Sequence, residues 1–279
     1  MIRNLKLVLA LIILVAAASC GGSAQNSITP PPPANYVLTW SDDFGGADGS
    51  TPDPTKWVLE TGAGNPVGWG NNELESYTGR PENVKVEGGN LVITAIQEDY
   101  TGTDGILRQY TSARIKTQQL MEQRYGRFEA RIKIPEGQGI WPAFWMLGNN
   151  CAVNPWPACG EIDIMENIGK EPSIVHGSLH QAGYDSTASY TIGSGKFADD
   201  FHVYAVEWEA DSIRFYVDGH LYDTRTPANL PAGTTWAFNH PFFIILNVAV
   251  GGYWPGDPDG TTTFPQKMFV DYVRVYTKQ

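Results

Sequence analysis

Three carboxylates lie within six residues of one apolar segment, and they are Glu161, Asp163 and Glu166. Read as a β-strand, the segment places Glu161 and Asp163 on one face because side chains alternate, and the intervening isoleucine on the other face, toward a core. Glu166 has the wrong parity for that face. One extra residue at Met165, a β-bulge of the kind common beside active sites, would return Glu166 to the face of the other two acids. The segment therefore predicts a row of three carboxylates.

Paired carboxylates on one face suit cleavage of a glycosidic bond, in which one acid protonates the leaving oxygen and the other attacks the sugar. On a straight strand Glu161 and Glu166 would lie roughly 13 Å apart at Cα, at ~3.3 Å per residue. Retaining hydrolysis needs carboxyl groups about 5 to 5.5 Å apart. We therefore expect the bulge and an inward-curving sheet to bring the two side chains together. A chance acidic strand edge is the alternative that the motif alone leaves open.

Aromatic and polar side chains elsewhere in the chain are candidates for sugar binding. Trp141 and Trp145 share a face of the apolar run 141–147, and an indole offers both a flat apolar surface for a pyranose and an N–H donor. Two core tryptophans are the structural alternative. Four further candidates are Asn72, Asn247, Trp254 and His180. For each there is a structural alternative, namely an Asn turn at Asn72, a buried amide that needs a protein partner at Asn247, a flexible turn after two glycines at Trp254 and a structural histidine at His180.

The composition indicates one domain that is rich in turns. The chain has 279 residues, 42% hydrophobic and 18% charged, with 30 Gly and 19 Pro, which suits one large sheet domain with a substantial core. Its formal net charge of -11 disfavours nucleic acid as a partner through repulsion, so a neutral substrate fits better. The histidines do not form a metal-ligand pattern, and neither a Gly-x-Ser-x-Gly elbow nor a phosphate-binding glycine loop is found.

Short runs of β-branched and aromatic residues, broken by turn residues about every ten positions, predict an all-β fold. Runs 127–134 and 212–217 alternate apolar and polar residues, as half-buried strands do, and the second enters a tight hairpin at Asp218-Gly219. Runs 141–147 and 242–250 are nearly continuously apolar, which is typical of central strands in a two-sheet sandwich. Further strands are predicted at 91–96 and 202–208.

The N-terminus predicts export. Residues 1–19 combine two basic residues, a short apolar run and small residues, which is the pattern of a signal peptide, and the run is too short for a confident membrane span. Cys20 follows a segment that resembles a bacterial lipoprotein processing site, so we expect its lipidation. Residues 20–35 include four consecutive prolines and predict a semi-rigid tether to a globular domain at 36–279. Loss of residues 1–19 removes two basic and no acidic residues, which gives a mature charge of -13.

The remaining cysteines, Cys151 and Cys159, flank a Pro-rich loop. In an oxidising compartment we expect a disulfide between them, with two free thiols as the alternative, and a zinc site is disfavoured without a nearby histidine pair. Asp271 presents a separate problem. Simple alternation places it on one face with Phe269 and Val273, so it needs a compensating partner such as an arginine or a calcium ion.

Five motifs in order carry a family resemblance, and they are 68–73, 112–115, 141–147, 161–166 and 246–254. Together they resemble the family 16 glycoside hydrolases over residues 36–277. The bulged acidic motif is most similar to bacterial endo-β-1,3-glucanases, or laminarinases. The resemblance implies a concanavalin A-like β-jelly-roll sandwich of two curved antiparallel sheets, with a sugar-binding cleft along the concave sheet.

The resemblance also implies roles for individual residues. Glu161 would be the nucleophile, Glu166 the general acid/base, and Asp163 the residue that orients and tunes both. The negative charges of Glu161 and Asp163 would raise the pKa of Glu166, so that it stays protonated until it acts as the acid. Seven residues would contact substrate, namely Asn72, Arg114, Trp141, Trp145, His180, Asn247 and Trp254.

A structural calcium ion is a further implication of the resemblance, with Asp271, Asp43 and the carbonyl of Gly89 as its ligands. Asp43 stands where the family more often has Glu, and its side chain is shorter. No cofactor is expected for catalysis.

The implied activity is retaining endo-hydrolysis of β-1,3-glucan, with mixed-linkage β-1,3-1,4-glucan as a further substrate. Together with the N-terminal pattern, we expect an exported, monomeric lipoprotein of the outer membrane or cell surface, or a secreted protein. The alternatives are an agarase or carrageenase of the same fold, and a non-catalytic β-glucan-binding protein.

Overall fold

A computed structural model describes residues 35–279, so the predicted signal peptide, Cys20 and nearly all of the tether lie outside the described residues. The regular elements of the described chain are all strands except for one 3-10 turn, Pro227–Asn229. The strands are β1 (Tyr36–Asp42), β2 (Val58–Glu60), β3 (Glu75–Tyr77), β4 (Val84–Glu87), β5 (Asn90–Thr101), β6 (Leu107–Ser112), β7 (Arg114–Lys116), β8 (Gly126–Lys133), β9 (Ile140–Gly148), β10 (Glu161–Glu166), β11 (Ile174–Gln181), β12 (Tyr184–Thr191), β13 (His202–Glu209), β14 (Ser212–Val217), β15 (His220–Arg225), β16 (Phe242–Val250) and β17 (Gln266–Lys278). Between residues 35 and 279, no helix has the length and hydropathy of a membrane span.

Two sheets pack against each other. The ten-stranded sheet has the order β15-β14-β13-β8-β17-β5-β6-β3, with β1 added beside β17 and β4 beside β5. The seven-stranded sheet has the order β12-β11-β10-β9-β16-β7-β2. The pairs are antiparallel except for β3 with β6. The predicted all-β sandwich of two antiparallel sheets is confirmed.

Strand periodicity explains how the core forms. All nine residues of β16 are buried, as its continuous apolar run predicts for a central strand. On β8, Phe128, Ala130 and Ile132 are fully buried in the core between the sheets. The hairpin after β14 turns at Asp218 and Gly219, whose φ angles of 50° and 79° are the positive values that a tight two-residue turn requires.

The outer face of β8 is more buried than alternation predicts, because an ion network covers it. Arg127 and Glu129 are only 5% and 1% exposed. Arg127 Nε donates to Glu129 Oε2 at 2.8 Å, and its Nη1 donates to Glu207 Oε1 on β13 at 3.3 Å. The hydroxyl of Tyr276 donates to Glu129 at 3.1 Å, and that of Tyr216 donates to Glu207 at 2.9 Å. We call Arg127, Glu129, Glu207, Tyr216 and Tyr276 the arginine network.

The predicted environment of Asp271 is wrong, because β17 contains a bulge there. Its register against β8 shifts between Val270 and Tyr272, so that Val270 and Val273 both enter the core and Asp271 does not. The Asp271 side chain is 32% exposed, and Arg131 Nη1 donates to its Oδ2 at 2.9 Å. Of the two predicted kinds of partner, the structure shows the arginine.

Candidate active site

A β-bulge in β10 brings the three carboxylates to one face of the seven-stranded sheet. Asp163 pairs with Trp145 of β9, and Met165 pairs with the next residue, Phe144, so β10 carries one extra residue at this point. The two bulge residues, Ile164 and Met165, are 1% and 0% exposed and both belong to the core. Glu161, Asp163 and Glu166 all line the cleft on the other side. The predicted bulge and acidic row are therefore present.

The neighbouring strands position the side chains that surround the acids. Glu161 pairs with His180 of β11, and Asp163 lies between Ser178 of β11 and Trp145 of β9. Directly opposed residues in neighbouring strands point to the same face, so these side chains project into one cleft. The cleft has a volume of about 830 Å³. Besides the three acids it is lined by Asn65, Trp69, Gly70, Asn71, Glu73, Arg114, Trp141, Ala143, Trp145, Leu147, Trp156, Ser178, His180, Asp185, Thr187, Asn247, Ala249 and Trp254.

Each carboxylate has its own partner. Trp156 Nε1 donates to Glu161 Oε2 at 3.0 Å, and Trp141 Nε1 donates to Glu166 Oε1 at 3.1 Å. Between them, His180 Nε2 lies 3.3 Å from Asp163 Oδ2. An indole N–H donor holds a carboxylate in one orientation without adding a charge. Both glutamates are therefore oriented by neutral donors, and only Asp163 directly faces a cation.

His180 bridges two acids. Its Nδ1 lies 2.8 Å from Asp185 Oδ1, on the side away from Asp163. Burial would lower the pKa of His180, but the hydrogen bond and charge of Asp163, with smaller contributions from Glu161 and Asp185, raise it to about 10. The imidazole is therefore protonated at neutral pH and donates from both nitrogens.

The pKa values of the three acids are all raised. Burial and the charge of Asp163 raise the pKa of Glu161 to about 8. Burial and the charge of Glu166 raise the pKa of Asp163 to about 7, and burial and the charge of Glu161 raise the pKa of Glu166 to about 7. Since three such groups have one cation in direct contact, the cluster keeps at least one proton near neutral pH.

This arrangement can supply a protonated and an ionised carboxyl at the same time, which acid-assisted nucleophilic attack requires. The predicted upward shift at Glu166 is present. Glu161 is shifted as well, which opposes the ionised state that a nucleophile needs. His180, the Trp156 N–H and Arg114 act in the other direction and lower the pKa of Glu161. They are the groups that favour its ionised form.

A second set of contacts fixes the aromatic floor of the cleft. Trp145 Nε1 donates to Asn247 Oδ1 at 2.7 Å, and Asn247 Nδ2 donates to the Tyr77 hydroxyl at 3.1 Å. That hydroxyl donates to Glu73 Oε2 at 3.2 Å. The buried amide of Asn247 thus has the partner that its apolar strand required. The Arg114 guanidinium lies over the Trp145 ring at 4.8 Å.

Trp141 and Trp254 also line the cleft, and their rings meet edge to face at 5.6 Å. Trp254 is 37% exposed, so one part of its ring packs and another part faces solvent. Edge-to-face packing leaves an aromatic face open to the C–H groups of a sugar.

Six of the seven predicted substrate residues line the cleft, and Asn72 does not. Asn72 is an exposed loop residue with φ of 60°, and its neighbours Asn71 and Glu73 line the cleft instead. A positive φ redirects the side chain, so counting along the loop cannot assign the cleft-facing amide.

Trp156 was missed from the sequence. It lies in the loop that the Cys151–Cys159 disulfide closes, where the two Cα atoms are 4.9 Å apart, and the predicted disulfide is therefore present. The signal was available, because a tryptophan five residues before Glu161 is held close to it by that covalent link.

The residues predicted to hold calcium do not fit a calcium site as they stand. Asp43 Oδ1 accepts a hydrogen bond from Arg274 Nη2 at 2.8 Å, and Asp271 accepts one from Arg131. Calcium takes six to eight oxygen ligands, and both carboxylates are instead neutralised by arginines. Gly89 lies in the turn between β4 and β5. Within residues 35–279, a group of three potential metal-binding side chains occurs at Glu161, Asp163 and His180.

Known proteins are similar to this chain in fold and in sequence. A sequence profile of the glycosyl hydrolases family 16 matches residues 72–274. The laminarinase catalytic domain of Thermotoga maritima superimposes with a TM-score of 0.83 at 47% identity, over 88% of this chain and 99% of that one. A β-glucanase of Rhodothermus marinus is 42% identical over 87% of this chain and 85% of its own length. A β-1,3-glucan-binding protein of Penaeus monodon is 37% identical over 58% of this chain and 52% of its own length. These similarities establish the jelly-roll class of the sandwich.

Proposed function

Because the chain belongs to the glycosyl hydrolases family 16, we propose that it is a retaining endo-β-1,3-glucanase that also accepts mixed-linkage β-1,3-1,4-glucan. The observation that carries this proposal is the acidic row itself. Glu161 and Glu166 lie on one face of a cleft, each oriented by a tryptophan N–H, with Asp163 between them. Members of the family need no cofactor for catalysis.

The retaining mechanism general to the family, and the two glutamates on one face of the cleft, support a double displacement. Protonated Glu166 donates its proton to the glycosidic oxygen as the bond to the leaving sugar breaks, and ionised Glu161 attacks the anomeric carbon to form a glycosyl-enzyme. Glu166, now ionised, then removes a proton from water, which attacks the same carbon and releases Glu161. His180 and Asp163 remain paired throughout and position the two glutamates from between them.

The cleft suits a neutral polysaccharide. Five tryptophans line it, and aromatic faces bind the C–H surface of a pyranose. The three acids that line it and the net charge of -11 would repel a sulfated polymer. These features favour glucan over a carrageenan-type substrate.

The Glu161→Ser variant tests the mechanism. We expect loss of laminarin hydrolysis with retained binding of the oligosaccharide in calorimetry, because serine removes the nucleophile and leaves the tryptophan surfaces. Glu136→Gln is the matched control, since Glu136 is a surface residue paired with Lys196, and it should hydrolyse normally. Hydrolysis by Glu161→Ser at the normal rate would refute the assigned role.

Two alternatives are separated by one assay. The purified protein is incubated with laminarin, mixed-linkage glucan, agarose and carrageenan, and the sizes and anomeric configuration of the products are resolved. Products from agarose or carrageenan alone would identify the first alternative. Binding of laminarin without products would identify a glucan-binding protein, which the presence of all three acids argues against.

Structural calcium remains a prediction, and its proposed ligands would have to leave their arginines. Thermal unfolding with a chelator and with added calcium tests it. A melting temperature that is the same in both conditions would reject the ion.

We also propose that the chain is exported, cleaved before Cys20, lipidated there and monomeric. The support is the pattern of residues 1–20 and the polar, Pro-rich tether that follows. Mass spectrometry of the N-terminal peptide tests the lipid, and light scattering of the domain tests the monomer. An unmodified Cys20 would leave secretion as the remaining route.

A further inference from the structure

The side chains of Glu161, Asp163 and His180 in the cleft are of the types found in zinc sites as well as in glycosidase active sites. Glu161, Asp163 and His180 each offer one ligand atom, and these atoms lie within 4.8 Å of one another. Carboxylate oxygens and imidazole nitrogens are the ligands that Zn²⁺ takes alongside thiolates. We propose that this cluster binds a divalent transition-metal ion such as Zn²⁺, and that the ion competes with glucan for the cleft.

One distance within the cluster is the distance that a bound metal ion would give. Two ligand atoms ~2.1 Å from a tetrahedral Zn²⁺ lie about 3.4 Å apart. His180 Nε2 and Asp163 Oδ2 are 3.3 Å apart, which is longer than the usual length of a charge-assisted hydrogen bond. Asp163 is 2% exposed, so its Oδ2 and the imidazole face each other away from bulk water.

A supporting residue is also in place. His180 Nδ1 lies 2.8 Å from Asp185 Oδ1, which leaves Nε2 directed at Asp163. Zinc-binding histidines almost always have their other ring nitrogen hydrogen-bonded to such a carboxylate, which fixes the ring and strengthens the ligand. On binding, the ion takes the place of the proton on Nε2, and that proton is released to solvent.

The three ligand residues all line the cleft. His180 and Glu161 are half-buried, so an ion can enter from solvent. Trp156 donates to Glu161 Oε2, and the cleft beside the cluster has room for a water or a sugar hydroxyl. Since Glu161 would be coordinated in the metal-bound state, it could not attack a glycosidic bond. Inhibition that is competitive with glucan follows, and this part of the inference rests on the proposed function.

Another histidine provides a matched comparison. His202 Nδ1 lies 2.7 Å from Asp218 Oδ2, the same pairing as His180 with Asp185. Within residues 35–279, no group of three metal-binding side chains forms around His202. The Asp218→Asn variant is therefore the control for Asp185→Asn, and asparagine tolerates the positive φ at that turn.

Calorimetric titration of the full chain with ZnCl₂, and with ZnCl₂ in the presence of laminarin oligosaccharide, tests the proposal. We expect a one-to-one component that His180→Gln abolishes, that Asp185→Asn weakens about 10- to 100-fold, and that Asp218→Asn leaves unchanged. Added oligosaccharide should weaken the component, and in a hydrolysis assay Zn²⁺ should raise KM without changing kcat. No such component, or one that His180→Gln retains, would overturn the site.

A cobalt spectrum keeps the proposal testable if His180→Gln fails to fold. Co²⁺ bound to the unaltered protein should give the visible absorption of a four-coordinate ion, and excess oligosaccharide should remove it. An absent spectrum, or one that oligosaccharide leaves intact, counts against the proposal. Metal binding without glucan hydrolysis would refute the proposed function and keep the site, whereas hydrolysis without metal binding would do the reverse.

Discussion

Two buried groups of charges, one on each sheet, differ in how they are neutralised. In the arginine network, Arg127 contacts both Glu129 and Glu207, and a second arginine, Arg214, lies 3.4 Å from Glu207. In the cleft, His180 is the cation in direct contact with the three acids, through Asp163, and it also contacts Asp185. The tyrosine hydroxyls of the network give each glutamate a further donor.

The difference separates a structural role from a reactive one. Paired and hydrogen-bonded charges have little tendency to exchange protons, because any change leaves a buried charge uncompensated. The cleft acids lack that compensation, and burial raises the pKa of each of them toward neutrality. Proton exchange near neutral pH is what acid/base catalysis uses.

The largest expected effect is on catalysis in the cleft. Glu166→Gln should lower kcat for laminarin about 10²- to 10⁴-fold, because the leaving oxygen loses its proton donor. Steady-state kinetics measures it, with Glu136→Gln as the surface control. A kcat within a few-fold of the original would mean that another group supplies the proton.

Removal of a charge from the arginine network should lower the stability of the fold rather than catalysis. Arg127→Met leaves Glu129 and Glu207 buried beside fewer charges, and we expect a loss of about 3–5 kcal/mol in the free energy of unfolding. Arg131→Met removes the half-exposed pair with Asp271 and should cost less than about 1 kcal/mol. Denaturant unfolding compares the two variants. Equal losses would remove the distinction between buried and exposed pairs.

Burial of the cleft acids should also make the free energy of unfolding depend on pH. Burial raises the folded-state pKa of Glu166 from 4.5 to about 7, so its contribution is fully present below pH 4.5 and is lost as the pH rises through 7. Glutamine does not ionise, so Glu166→Gln keeps its stability as the pH rises through 7. It should be more stable than the original by about 1–3 kcal/mol at pH 8, at ~1.4 kcal/mol per pKa unit, and similar at pH 4. Unfolding curves at both pH values decide, and a variant less stable at pH 8 contradicts the prediction.

The smallest expected effect on catalysis is at Trp156. Trp156→Phe keeps the aromatic ring but removes the N–H that orients Glu161 and lowers its pKa. We expect kcat to fall about 10-fold, as loss of one hydrogen bond to a charged group of about 1.5 kcal/mol predicts. The acidic limb of the pH–rate profile should move to higher pH, since the ionised form of Glu161 loses a donor. An unchanged profile would make Trp156 a packing residue only.

Periodicity predicted what the regular strands do, and bulges and loops account for the differences. The alternation of β8 and the apolar run of β16 sufficed to place the core. At Asp271 an unforeseen bulge places Val270 and Val273 on the same face of β17, so simple alternation predicted the wrong environment for Asp271. At Asn72 a positive φ had the same effect in a loop.

Long-range pairing was the other limit. The burial of Glu129 depends on strands far apart in sequence, since Tyr276 lies 147 residues away. In the acidic segment the bulge was predictable because Glu166 had no reason to be in a core. A buried carboxylate without a partner is costly enough to reveal a register shift, whereas Asp271 could be accommodated on either face by one arginine.

The bulge at Ile164 and Met165 makes β10 tolerant of a change in length that its neighbours could not accept. Deletion of Met165 would leave Glu-Ile-Asp-Ile-Glu, in which simple alternation again directs all three acids to the cleft and both isoleucines to the core. A deletion within β9 or β16 would reverse every side chain beyond it. Homologous chains can therefore differ by one residue at this point and keep the same row of acids, with a changed spacing between the last two.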